Sequence, residues 1–102
     1  MEIFYSDKPK KRFVAVINGK KIYFGQPDAY TYIDGADDTT RDNYRKRHYA
    51  NKTEKYRIDN LIPSASLLSW YILWGDSHNI HKNIKYLNRL IQDYPFDIGQ
   101  YS

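Results

Sequence analysis

The chain has no cysteine, which excludes both disulfide staples and thiolate metal sites. That lack fits a reducing compartment. Glycine and alanine are scarce, and Gly19, Gly25 and Gly35 stand apart as turn glycines, without the spacing that cradles a phosphate. No stretch approaches the roughly 20 consecutive apolar residues of a membrane span. Met1-Glu2-Ile3-Phe4-Tyr5 lacks the basic, apolar, small-residue order of a signal peptide, so the protein is not expected to be secreted. Lopsided charge is missing too: 16 Lys and Arg against 12 Asp and Glu give a net charge of +4, too moderate to specify nucleic acid by itself.

What is present fits one small domain. A chain of 102 residues buries roughly 60–65% of the surface its unfolded form exposes, enough for one modest core. Little stability is left over for a deep active-site cavity. Tyrosine, asparagine, isoleucine and lysine are abundant, a mix that AT-rich codons favour, so the 11 tyrosines carry little functional weight by number alone.

The clearest local signal is Phe13-Val14-Ala15-Val16-Ile17 and Lys21-Ile22-Tyr23-Phe24 flanking Asn18-Gly19. Both central positions of a type I′ turn need positive φ, which Asn and Gly supply cheaply, so this reads as a tight β-hairpin. Phe13 then faces Phe24, Ala15 faces Ile22 and Ile17 faces Lys20. Period-2 alternation places Phe13, Ala15, Ile17, Ile22 and Phe24 on one core face. Lys8-Pro9-Lys10-Lys11-Arg12 reads as part of a solvated basic arm over residues 1–11. Tyr30-Thr31-Tyr32-Ile33 is a candidate third strand.

Asp37-Asp38-Thr39-Thr40 suits a helix start, because carboxylates and hydroxyls accept hydrogen bonds from the free N–H groups of a first turn. The helix is expected over about 39–50, with a thin apolar face, and Lys52 to Asn60 as a polar connection. A short helix apolar on every side follows over about 64–74, with Gly75 as its left-handed C-cap. A third helix runs from His78 to about Asp93, with Ser77 before it and Ile80, Ile84, Leu87 and Ile91 as an amphipathic stripe. Tyr94-Pro95 ends it, and 96–102 is a tail. The expected class is α+β: a β-hairpin packed against about three α-helices, one domain over 12–95.

Catalytic chemistry finds little footing. His78 and His81, near Asp76, have no third ligand at metal spacing and no HExxH arrangement. Asp34, Asp37, Asp38 and Asp42 are accounted for by turn and N-cap duty, and His48 by a hydrogen bond within the fold or a phosphate contact. The reading is of a non-enzyme without metal or cofactor.

Binding has two candidate surfaces. Arg41, Arg45, Lys46, Arg47, His48, Lys52, Lys55 and Arg57 could neutralise an acidic partner or nucleic-acid phosphates, with Arg41, Arg45 and His48 on one helix face and tyrosines for stacking. Asp37, Asp38, Asp42, Glu54 and Asp59 dilute that set. Leu67, Trp70, Tyr71 and Trp74 make the short helix so apolar that a protein interface is a natural cover for it, unless the hairpin and last helix bury it.

The order of Phe24-Gly25, Tyr30-Thr31, Arg41…Tyr44…Arg47-His48 and Ser69…Leu73-Trp74 resembles a small uncharacterised family encoded by large double-stranded DNA viruses of eukaryotes, over roughly 12–90. That family's pattern has Phe-Gly, Tyr-Thr-x-His, Arg-x-x-Tyr-x-x-Arg-His and Trp-Ser-Arg-Trp-Leu-Leu-Trp. Here Ile33 stands at the histidine, Leu68 at a tryptophan, and Trp70 and Tyr71 at arginine and tryptophan. The resemblance implies no activity. It implies a viral setting, the virion or infected-cell cytoplasm, with other viral proteins (capsid or virion components) as partners. The expected function is a small basic structural protein, virion-associated or a minor capsid component, and the alternative is a sequence-nonspecific DNA- or RNA-binding module.

Overall fold

The computed structural model describes residues 1–93. Three antiparallel strands, β1 (Glu2–Tyr5), β2 (Phe13–Ile17) and β3 (Lys20–Phe24), form a meander in the order β1-β2-β3. Asn18 and Gly19 take φ of 50° and 78°, closing the hairpin with Phe13 opposite Phe24, Ala15 opposite Ile22 and Ile17 opposite Lys20. The third strand is not Tyr30–Ile33. It is β1, inside the segment expected to be an arm: Ile3 pairs with Ala15 and packs on the core, while Phe4 and Tyr5 lie exposed. The basic run is the connection from β1 to β2, closed by hydrogen bonds from Lys11 N to the Lys8 carbonyl at 3.1 Å and from Ser6 N to the Arg12 carbonyl at 3.0 Å.

Tyr32–Asp34 is a 3₁₀ turn rather than a strand. The Asp34 carboxylate explains why: it accepts from Thr31 N at 2.9 Å and Thr31 Oγ1 at 2.7 Å, satisfying the turn's first donors. The same carboxylate takes both guanidinium nitrogens of Arg12, at 2.6 and 2.7 Å, tying the turn to the sheet.

Four helices follow: α1 (Asp38–Tyr49), α2 (Lys52–Asp59), α3 (Ala65–Leu68) and α4 (Ile80–Asp93). Asp37 caps α1 by accepting from Thr40 N. The expected polar connection is helix α2, because Asn51 accepts from the N–H groups of Thr53 and Glu54 and only Ile58 needs burial. After α3, capped by Ser64, the chain widens into a π-helical turn, Ser69–Leu73, ended by a hydrogen bond from Trp74 N to the Ser69 carbonyl. Asn79, rather than Ser77, caps α4 by accepting from His81 N and Lys82 N. The expected tail, with Tyr94-Pro95, lies outside the described residues.

The core is one cluster. Phe13, Ala15, Ile17 and Phe24 from the sheet meet Leu68, Ile72, Leu73 and Trp74 from the α3–π segment and Leu87 from α4. That segment is the hub of the α+β fold. Asn83 holds its far end, donating to the carbonyls of Ile72 and Ser77 and accepting from Ser77 N. No helix among the described residues is long and apolar enough to cross a membrane.

Candidate functional site

Helix α1 presents Arg41, Tyr44, Arg45 and His48 along one side, the i, i+3, i+4, i+7 spacing of a single helical face. The expected cationic stripe therefore exists, but it faces the protein. Arg41 Nε donates to the carbonyls of Trp74 and Gly75 at 3.2 and 2.8 Å, and its guanidinium pairs with Asp76 at 2.6 Å. Arg45 donates to the Trp74 carbonyl from both Nε and a terminal nitrogen, and to the Trp70 carbonyl at 3.4 Å. Its guanidinium lies 4.3 Å from the centre of the Trp70 ring. A helix end leaves carbonyls without partners and carries partial negative charge, and two arginines answer both needs here. Burial, with the neighbouring Arg41 charge, pulls the Arg45 pKa down. Arg41 and Arg45 are thus a correction to the expected binding set: they hold the fold.

The remaining cations differ. Lys46, Arg47, Lys52 and Arg57 are exposed. Lys55 is partly spent on Asp59, 2.8 Å away, and lies over the Tyr49 ring, whose hydroxyl also bonds Asp59. His48 Nδ1 meets Glu54 Oε1 at 2.9 Å, and Ser66 Oγ donates to the same oxygen.

The expected interface divides likewise. Leu67 is fully buried and Trp74 is 8% exposed, so both belong to the core and neither is free for a partner. Trp74 packs in the cluster formed by the sheet and Leu87 of α4, and Tyr44 stacks on it at 4.4 Å. Trp70 and Tyr71 are half-buried. Trp70 is packed against Tyr49 and Arg45, while Tyr71 approaches Tyr86. Leu67 and Trp74 are thus buried within the chain, while Trp70 and Tyr71 keep part of their surface exposed.

Where β3, the β1–β2 connection, α1 and the π turn approach one another, a cleft of about 370 Å³ opens. Lys11, Arg47 and His48 bring charge to it, Gln26, Thr31 and Ser69 bring hydrogen-bonding groups, and Tyr44, Leu73 and Trp74 form an apolar wall. No lining residue is acidic. Glu54 sits behind His48 with its Oε1 2.9 Å from Nδ1, leaving Nε2 as the ring nitrogen outside that pair. Tyr44 is sandwiched between His48, at 4.1 Å, and Trp74. Burial and then the Glu54 charge push its hydroxyl up to about 12, against the nearby Ser69 hydroxyl and the Arg47 and Arg45 charges. Such a site can hold an anion against a dry aromatic wall.

Sequence reasoning missed two parts of this site. Lys11, expected in a solvated arm, lines the cleft with Gly25. Glu54 was read only as dilution, although Asn51 three residues before it is a capping signal that would have revealed α2 and its reach to His48. His78 makes no metal site: Nδ1 donates to the Tyr32 carbonyl at 2.6 Å and the ring stacks on Tyr32. Among the described residues no group of three or more His, Cys, Asp or Glu could hold a metal ion.

Residues 1–48 match the Family of unknown function (DUF5754), which takes in the sheet and nearly all of α1. An uncharacterised protein of Acanthamoeba polyphaga mimivirus is 45% identical over 80 residues, covering 72% of this chain and 80% of that protein. The chain belongs to the family of that viral protein. Mimivirus is a large double-stranded DNA virus, so the kinship is the one the motif order implies. No solved structure matches the chain. Of the residues that carry the family resemblance, Gly25, Thr31, Tyr44, Arg47, His48, Ser69, Leu73 and Trp74 line this cleft, whereas Phe24, Tyr30 and Arg41 do not.

Proposed function

We propose that this family member is a non-enzymatic docking protein, virion-associated or a minor capsid component, that holds an acidic segment of another viral protein. The observation that carries this reading is the cleft, where Lys11 and Arg47 converge with His48 and none of the lining residues is acidic. Neither Lys11 nor Arg47 is paired with a carboxylate among the described residues. Cations left uncompensated at a concave surface attract and orient an anionic partner. Membership in a viral family supports the setting, in particles or infected cytoplasm.

A duplex nucleic acid is the weaker fit. Arg41 and Arg45 are spent on helix carbonyls, Lys55 on Asp59, and both faces of Tyr44 are covered, which thins the phosphate-neutralising set and removes a stacking platform.

Cross-linking mass spectrometry of purified virus particles tests the reading. The expected result is this protein in the particle, linked through Lys11 or Lys46 to an acidic stretch of another viral protein. Absence from particles ends the virion role. Titration with random duplex is expected to show little binding at any salt. Tight binding that weakens steeply with salt would move the assignment to nucleic acid.

A further inference from the structure

We infer that the cleft is a seat for a single phosphoryl group, gripped by Lys11, Arg47 and His48. The inference rests on the docking reading above and names the chemistry of its central contact.

Three observations carry it. First, the three groups reach the cleft from two separate elements, Lys11 from the β1–β2 connection and Arg47 and His48 from the last turn of α1. Two neighbouring arginines on the same helix are consumed by internal carbonyls, whereas Arg47 has no carboxylate partner among the described residues and its guanidinium lies 5.9 Å from the centre of the Tyr44 ring. A guanidinium left free beside a lysine suits bidentate oxyanion recognition.

Second, His48 is pre-oriented. Glu54 fixes Nδ1 at 2.9 Å, Ser66 steadies the same carboxylate oxygen, and Tyr44 supports the ring face at 4.1 Å. A ring held on three sides loses little freedom when Nε2 meets a ligand.

Third, size and wall chemistry select the ligand. About 370 Å³ lies near the small end of pockets that enclose small molecules. With both faces of Tyr44 covered, that ring is not free to stack on a nucleobase, which leaves the larger share of recognition to charge and hydrogen bonds. A carboxylate brings one negative charge. A phosphate monoester brings between about 1.5 and 2 at neutral pH with three acceptor oxygens, which better matches two permanent cations and a histidine. Thr31 shapes the wall without contributing its hydroxyl, which is already donated to Asp34.

The test is an amide and histidine-ring NMR titration of the full chain at low ionic strength, with inorganic phosphate, phenyl phosphate and acetate. Inorganic phosphate and phenyl phosphate are expected to move Gly25, Thr31, Ser69 and the His48 ring at saturable, millimolar concentrations, with acetate much weaker. Arg47→Ala and Lys11→Ala should each weaken that binding by about tenfold or more, the loss of one charge-assisted contact. Lys46→Ala, an exposed neighbour outside the cleft, should leave it unchanged. Tighter binding of phenyl phosphate than of inorganic phosphate would assign the seat to a phosphorylated aromatic side chain, and equal binding to the phosphoryl group alone. Acetate binding as well as phosphate, shifts scattered over all lysines, or equal weakening by Lys46→Ala would each overturn the proposal. Cross-links to an acidic viral protein that survive Arg47→Ala would sink this seat while leaving the docking reading intact.

Discussion

Arg45 closes the helix that carries Trp70. Its guanidinium lies over the Trp70 ring and donates to the carbonyls of Trp70 and Trp74, so one side chain caps the π-helical turn and covers its aromatic face. π-helical turns are rare and persist where the surroundings hold them, and here two arginines and Asn83 do so from either side.

Arg45→Ala is therefore expected to destabilise the protein by about 2–3 kcal/mol, since buried carbonyls lose a charged donor and Trp70 loses its cover. Arg45→Lys should recover only part, because an ammonium cannot reproduce the planar, multiply donating stack. Arg47→Ala, two residues further along α1 but solvent-facing, should change stability by less than about 0.5 kcal/mol. Urea unfolding followed by tryptophan fluorescence measures all three. Equal effects of Arg45→Ala and Arg47→Ala would contradict the division of labour along α1.

Asp34 gives the fold an acid limit. The Arg12 guanidinium, with hydrogen bonds from Thr31, holds its carboxyl well below the usual carboxylate range. A depressed folded-state pKa contributes stability that is fully present above the unfolded value, near 3.8, and is lost as pH falls through the folded one. Denaturant midpoints should fall progressively below about pH 4. Asp34→Asn should be less stable than wild type at neutral pH, and its own acid-side slope should be shallower.

Gly75 is demanded by space and not by the left-handed C-cap expected of it, since its φ is not positive. A Cβ there would sit 2.2 Å from the Tyr71 carbonyl and 2.8 Å from the Asn83 side chain, the residue that pins the π turn to α4. The carbonyl belongs to backbone and cannot swing aside. Gly75→Ala should cost at least about 3 kcal/mol, at the severe end for a single substitution. A soluble, folded Gly75→Ala protein with unchanged thermal midpoint would show that the turn can open at little cost.

These contrasts mark what the sequence could and could not convey. Asn18-Gly19 announced its hairpin and register because positive φ at both turn positions is a local demand, met by two residues in a row. The stripe of Ile80, Ile84, Leu87 and Ile91 announced α4 because its period matches one buried helical face. Strand β1 was hidden because four residues with Phe4 and Tyr5 facing water carry almost no pattern, and its order comes from pairing with β2. Helix α2 was hidden for a similar reason, since it buries only Ile58 and is held by the Asn51 cap. The site was half legible. Arg41, Arg45 and His48 do share one face, but a helical wheel does not say which way that face looks. Only the position of the π turn's carbonyls turned two of those cations into structure and left Arg47 and Lys11 to the cleft.

Tyr44 supplies an alkaline counterpart to Asp34. It lies between His48 and Trp74, and burial together with the Glu54 charge pushes its hydroxyl up to about 12 from an ordinary value of 10.0. A raised folded-state pKa contributes stability that is fully present below the unfolded value and is lost as pH climbs through the folded one. Wild type should therefore lose stability between about pH 10 and 12, as the unfolded chain ionises at this position and the folded chain resists. Tyr23, Tyr32, Tyr49 and Tyr71 are shifted in the same direction, so total alkaline loss cannot isolate one ring. The difference between wild type and Tyr44→Phe can. Phenylalanine keeps the stack and removes the proton, so the stability gap should be constant up to about pH 10 and then shift in favour of the variant. A gap that stays flat through about pH 12, measured by urea midpoints, would mean that the Tyr44 hydroxyl reaches water and that the aromatic wall of the cleft is wet.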